Sequence, residues 1–183
     1  MIVVDPDDVI LAQQGRERHG RCRARHRAAE GDPGDAPFAG GAGAGLALLA
    51  ADVVSEIWLI ERNPALAAFW RYASSDPTSF ACRVEQLTTP TLSDWHSARD
   101  VVADADAGGH VDDETLGFAA FVINRCSRSG IIAPNVGPMG GQAQTGRWRV
   151  DSRWNGPALA DRFRRLATFG SGIRVIEADA IDY

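Results

Sequence analysis

The segment Phe38-Ala-Gly-Gly-Ala-Gly-Ala-Gly45 constrains the fold of this chain more than any other. Glycines let backbone amides approach a ligand where a side chain would clash, and such a turn leads into a helix in nucleotide-binding folds. The residues that follow fit that role. Ala/Leu-rich sequence predicts a helix to about Val54, and Glu56-Ile-Trp-Leu-Ile60 predicts a short apolar strand. Glu61 stands at the end of that strand, twenty positions after Gly41. An acid at that spacing accepts hydrogen bonds from ribose hydroxyls. The run from Ala28 to Ala36 before the turn is too polar and too rich in glycine and proline for a central parallel strand.

Further along, Asn63-Pro64 predicts a helix start, an N-cap followed by proline at the first helical position. Leu66, Phe69 and Trp70 continue it at helical spacing. Helices are expected around 78–88 and 92–106, and Asp112 or Asp113 is expected to cap another through Leu116, Phe118, Phe121, Val122 and Ile123. Residues 127–146 are rich in glycine and read as loop. Arg147-Trp-Arg-Val150 suggests a strand, Asn155 with Pro157 a helix start, and Ile173 to Ile176 a second good strand. Asp32-Pro33 and Asp76-Pro77 read as loop. The order of elements predicts an α/β chain with an insertion, consistent with a doubly wound parallel sheet.

Charge is segregated. All 19 cationic side chains are arginine, against 24 acids, for a net charge of −5. Arg16, Arg18, Arg21, Arg23, Arg25 and Arg27 crowd one stretch. Asn124 to Arg149 carries Arg125, Arg128, Arg147 and Arg149 with no acid. A basic patch on an acidic protein steers an anionic partner locally. No apolar run is long enough to span a bilayer, and acids follow the first apolar residues at once, so neither membrane span nor secretory signal is expected. Cys22, Cys82 and Cys126 are widely spaced and odd in number, which points to a reducing cytoplasm and to no metal site.

Taken together, Phe38-x-Gly-Gly, Glu61-Arg-Asn63-Pro64, Asn124-Arg125 with Ser129-Gly130-Ile131, and Gly137-Pro138-Met139-Gly140-Gly141 resemble the Dam-type adenine-specific DNA methyltransferases of prophages and restriction-modification systems. The resemblance covers roughly Pro37 to Tyr183. It implies a Rossmann-like fold that transfers a methyl group from S-adenosylmethionine to the exocyclic amino group of adenine in duplex DNA. It further implies that Pro37, Phe38, Gly40, Gly41, Glu61 and Asp179 hold the cofactor. Asn124, Arg125, Arg128, Ser129, Arg147 and Arg149 are its implied DNA contacts. On this reading 37–76 and 156–183 are parts of the cofactor-binding core and 77–155 is a helical and loop insertion for DNA recognition. Residues 1–36 form an atypical, poorly ordered segment.

The chemistry needs acceptors that hold the amino group of a flipped adenine in line with the methyl donor. In the family an Asp-Pro-Pro-Tyr motif does this, and no such run occurs in the 183 residues. Asp5-Pro6 ends a short apolar stretch, but Asp7 and Asp8 follow it, and catalysis from Asp5 is not expected. The chain is therefore expected to be a truncated member, incomplete at both ends, with impaired activity unless a complementing fragment or subunit is supplied. Two other readings follow: a non-catalytic DNA-binding remnant, and an NAD-dependent oxidoreductase suggested by the glycine turn and Glu61 alone.

Overall fold

The computed structural model of the chain describes residues 34–37, 42–133 and 135–181. Three short strands form a parallel sheet in the order β1 (Gly34–Pro37), β2 (Ile57–Glu61), β3 (Ile173–Glu177). Gly34 pairs with Ile57 at one end of the register, and Glu61 pairs with Glu177 at the other. The glycine turn therefore does follow a strand. β1 has β2 as its partner among the described residues, and its proline stands at its last position. An edge strand tolerates glycine and proline because only part of its ladder is needed.

Six α-helices lie among the described residues: α1 (Gly43–Ala50), α2 (Pro64–Ser75), α3 (Pro77–Gln86), α4 (Leu92–Asp106), α5 (Asp113–Cys126) and α6 (Gly156–Leu166). Their starts follow from local chemistry. Asn63 Oδ1 accepts from the amides of Ala65 and Leu66 at 2.9 and 3.1 Å, with proline next in the chain. Thr91 and Asp94 form a reciprocal capping box at α4. Asp112, not Asp113, caps α5 through the Thr115 amide at 2.8 Å. Asn155 caps α6. Asp76-Pro77 is not loop: Asp76 Oδ1 accepts from the Ser79 amide at 2.9 Å and the proline opens α3. Each cap satisfies amides that have no partner within their own helix.

The expected strand at Arg147 to Val150 is absent, and the segment bends into a turn that begins at Val150. Its amides are taken by side chains: Arg149 N donates to Ser152 Oγ and Val150 N to Gln144 Oε1. Donors used this way cannot build a ladder.

The core is aromatic at its centre. Phe69 of α2, Phe80 of α3, Phe121 of α5 and Phe163 of α6 are all buried, with Phe80 and Phe163 ring centroids 4.4 Å apart and Phe121 and Phe163 5.1 Å apart. Helices from the 77–155 segment and from its flanks therefore share one hydrophobic core with Ile57, Leu59 and Ile173 of the sheet. Burial of this continuous apolar surface is what holds the strands and the 127–155 segment in one frame.

Surface carboxylates contribute through charge. The Thr115 amide holds the Asp112 carboxyl below its ordinary 3.8, and Arg164 holds Glu85 below its ordinary 4.5 across the α3–α6 contact. A depressed folded pKa adds stability above the unfolded value, which is lost as pH falls through the folded value. The urea midpoint is therefore expected to stay level from neutrality to about pH 5 and to fall below about pH 4. Glu85→Gln should flatten part of that fall; urea titrations at stepped pH check it.

Candidate functional site

Parallel strands that share one direction place their carboxyl ends at one edge of the sheet, where α/β folds bind ligands. Glu61 ends β2, half-exposed, and Asp179 lies two residues past β3. The backbone brings them together: Ala178 N donates to Glu61 O at 3.2 Å. Glu61 Oε1 accepts from the Asn63 amide at 2.9 Å, which orients the carboxylate at the strand end. The Asp179 carboxyl is held below its usual range first by the Ile181 amide and then by Arg62, whose Nη1 lies 3.2 Å away. The two carboxylates lie at the ends of adjoining strands, a set of acceptors suited to ribose and purine hydrogen bonds.

Pro37 ends β1 at the same edge. Phe38, Gly40 and Gly41 lie outside the described residues, as do Asp5, Cys22 and the arginines from Arg16 to Arg27. α1 begins two residues after Gly41, behind Ala42 at φ 49°, a left-handed conformation. A cleft of about 470 Å³ beside β3 is lined by Arg71, Asp76, Asp113 and Val175 among others, and none of the expected cofactor residues is in its wall.

Arg71 had no signature in the sequence, yet it ties this end of the sheet to the helices. Its guanidinium makes two bonds to Asp113, at 2.7 and 2.9 Å, and reaches Glu177 at 3.2 Å. Asp113 chiefly, with Glu177, raises the Arg71 pKa further above its ordinary value. The Arg71 network joins α2, the start of α5 and the end of β3.

The second part of the site is the segment after α5. Of its expected contacts, Arg128, Ser129, Arg147 and Arg149 are exposed. Asn124 is not: it is 4% exposed, and its amide nitrogen donates to Gly130 O. Arg125 is half-buried and donates to the carbonyl of Arg153, at 3.2 Å from Nε. Arg153 returns the contact, from Nε to Arg125 O at 3.1 Å. Its Nη2 donates to Asn124 O, at 3.1 Å, and to Ser127 O. The last carbonyls of a helix lack partners within it, so a guanidinium placed there is favoured both by hydrogen bonding and by the helix dipole. Asn124 and Arg125 therefore shape the loop from inside instead of facing outward. Burial lowers the pKa of both Arg125 and Arg153 from the ordinary value, and pushes the Cys126 thiol between them up to about 12, so that it remains neutral.

Gln144 is the internal strut of the remaining loop. Its Nε2 donates to Met139 O and Gly141 O at 2.8 and 2.6 Å, and its Oε1 accepts from Val150 N at 3.0 Å. Gly140, at φ 82°, packs so closely that a Cβ there would lie 2.7 Å from Trp148 O. Met139 N bonds Cys126 O and Arg128 N bonds Gly137 O, which folds the loop back on the end of α5. Neither Gln144 nor Arg153 was foreseeable, because their partners are carbonyls set by tertiary contact. Arg153→Ala is expected to leave the helices intact while making the 127–150 segment several-fold more sensitive to limited proteolysis. Unchanged cleavage kinetics would contradict this assignment.

The result is a pair of features: two carboxylates at the carboxyl edge of a parallel sheet, and an exposed, acid-poor arginine loop fixed to the end of α5. No family model, curated protein or solved structure matches the chain.

Proposed function

We propose that this chain is the cofactor- and DNA-holding part of an adenine-specific DNA methyltransferase of the Dam type. The observation that supports this most is the shared carboxyl edge of β1, β2 and β3, where the backbone of Ala178 meets Glu61 and Asp179 follows next in the chain. S-adenosylmethionine, when bound, supplies an electrophilic methyl on a sulfonium. Glu61 would accept from its ribose hydroxyls and Asp179 from its adenine side, with Pro37, Phe38, Gly40 and Gly41 bringing backbone to the remainder. Arg128, Arg147 and Arg149 would neutralise phosphates of duplex DNA, with Ser129 as a neutral donor beside them. No residue is assigned the role of holding the adenine amino group, because no Asp-Pro-Pro-aromatic run is present. Methyl transfer by these 183 residues alone is expected to be slow or absent unless a complementing fragment or subunit supplies that motif.

Calorimetry tests the cofactor half. Binding of S-adenosylmethionine is expected, weakened by about tenfold or more in Glu61→Ala through loss of charge-assisted bonds. Binding of NAD in its place would replace this reading with an oxidoreductase. Gel-shift titration against salt tests the DNA half. Replacing Arg147 and Arg149 by alanine is expected to lower the salt slope by about 2. The absence of the Asp-Pro-Pro-aromatic run favours one second reading, a DNA-binding remnant without catalysis. DNA retention with no S-adenosylmethionine heat would select it.

A further inference from the structure

The 127–155 loop presents one large aromatic side chain to solvent. Trp148 is 61% exposed, with the Arg147 guanidinium carbon 5.2 Å from its ring centroid. Building on the DNA reading above, we infer that Trp148 is a base-stacking contact and that its loop binds nucleic acid best where a base is unpaired.

The backbone argues first. The Trp148 carbonyl and Arg149 Cα lie against Gly140, Arg149 N is held by Ser152 Oγ and Val150 N by Gln144 Oε1. The main chain is pinned by neighbours while the indole is left outside. A rigidly mounted aromatic binds with little further ordering cost. Charge argues next. From Asn124 to Val150 the chain has no acid, and Arg128, Arg147 and Arg149 are exposed there, with Asp151 next in the chain. That surface attracts a polyanion and suits an apolar protein partner less. Arg149 remains exposed although its Nε donates to Gln144 O at 3.2 Å. A planar ring beside the Arg147 guanidinium matches a polymer that alternates phosphates with flat bases.

The geometry of the partner then follows. In an intact duplex both faces of a base are covered by its neighbours, so an indole has nothing to stack on without paying for unstacking. A mismatched, bulged or single-stranded base offers its face at lower cost. The loop should therefore prefer a duplex carrying an unpaired base to the same duplex fully paired.

The test uses the full chain and fluorescence anisotropy with a labelled short duplex, fully paired or carrying one unpaired base. Wild-type protein is expected to bind the bulged duplex about tenfold more tightly. Trp148→Ala should abolish that preference while leaving paired-duplex affinity and its salt slope unchanged. Trp148→Phe should retain most of the preference. Equal affinities in wild type, or an equal loss on both duplexes in Trp148→Ala, would overturn the inference and leave the DNA reading standing. Failure to bind either duplex would remove both. A change in self-association with Trp148→Ala, at unchanged DNA preference, would instead make the indole a protein contact.

Discussion

Phe80→Ala is expected to destabilise the fold by about 3 to 5 kcal/mol, a large share of the roughly 5 to 15 kcal/mol that stabilises a folded domain. Phe80 is fully buried. Its ring lies 4.4 Å from Phe163, 5.0 Å from Tyr72, 5.5 Å from Phe121 and 5.6 Å from Phe69, measured between centroids. Truncation removes the transfer free energy of the ring and leaves a cavity bounded by other rigid rings, which collapse poorly into it. Phe80→Leu retains part of the volume and should cost roughly half as much. Urea unfolding followed by circular dichroism measures both. A Phe80→Ala loss below about 1 kcal/mol would contradict the packing described. The functional consequence is joint: α5 leads into the arginine loop and α6 leads into β3, so failure at this cluster should weaken cofactor and DNA binding together.

Gly117→Ala carries the second large effect, and its sign is the informative part. In an exposed helix interior the change gains up to about 1 kcal/mol in helix propensity. Gly117 lies where α5 crosses α2. A Cβ there would stand 2.7 Å from Ala68 O and 2.8 Å from the Ala68 carbonyl carbon and Phe69 Cα. Those are backbone atoms that no side-chain rotation can move aside. Separating the two helices opens the core beneath them, and overpacking of this kind costs about 1 to 3 kcal/mol. A net loss of about 2 kcal/mol is expected after the propensity gain. Gly43→Ala at the start of α1 meets nothing within 4 Å and should be neutral or slightly stabilising. Denaturation of the two variants side by side checks the comparison. Stabilisation by Gly117→Ala would refute the close helix crossing.

Several elements were legible because their causes are local. Asn63 with Pro64, Asp112 and Asn155 with Pro157 mark helix starts that the structure contains, since a cap needs only its own residue and the next few amides. The strands read at Glu56–Ile60 and Ile173–Ile176 lie at Ile57–Glu61 and Ile173–Glu177. Asp76-Pro77 carries the same capping signal as Asn63-Pro64 and opens the helix expected around 78–88, so the loop reading misses a cap that is itself local. β1 escaped because Gly34-Asp-Ala-Pro37 has no strand composition; a parallel partner supplies its order. Arg147 to Val150 departs from the sequence expectation for the opposite reason. Its composition suits a strand, but Gln144 and Ser152 take its amides.

The candidate site divides along the same line. Sequence spacing alone determined that Glu61 follows a glycine turn and ends a strand, and that four arginines lie in an acid-free segment. These are properties of order along the chain. Tertiary structure decided that Ala178 meets Glu61, so that Asp179 shares its edge. It also decided that Arg71 clasps Asp113 and Glu177, that Gly130 and Arg153 take the side chains of Asn124 and Arg125 inward, and that Trp148 lies outside. Each of those contacts joins residues far apart in the chain or meets carbonyls whose positions depend on packing. Their geometry exists only once the shared aromatic core has formed.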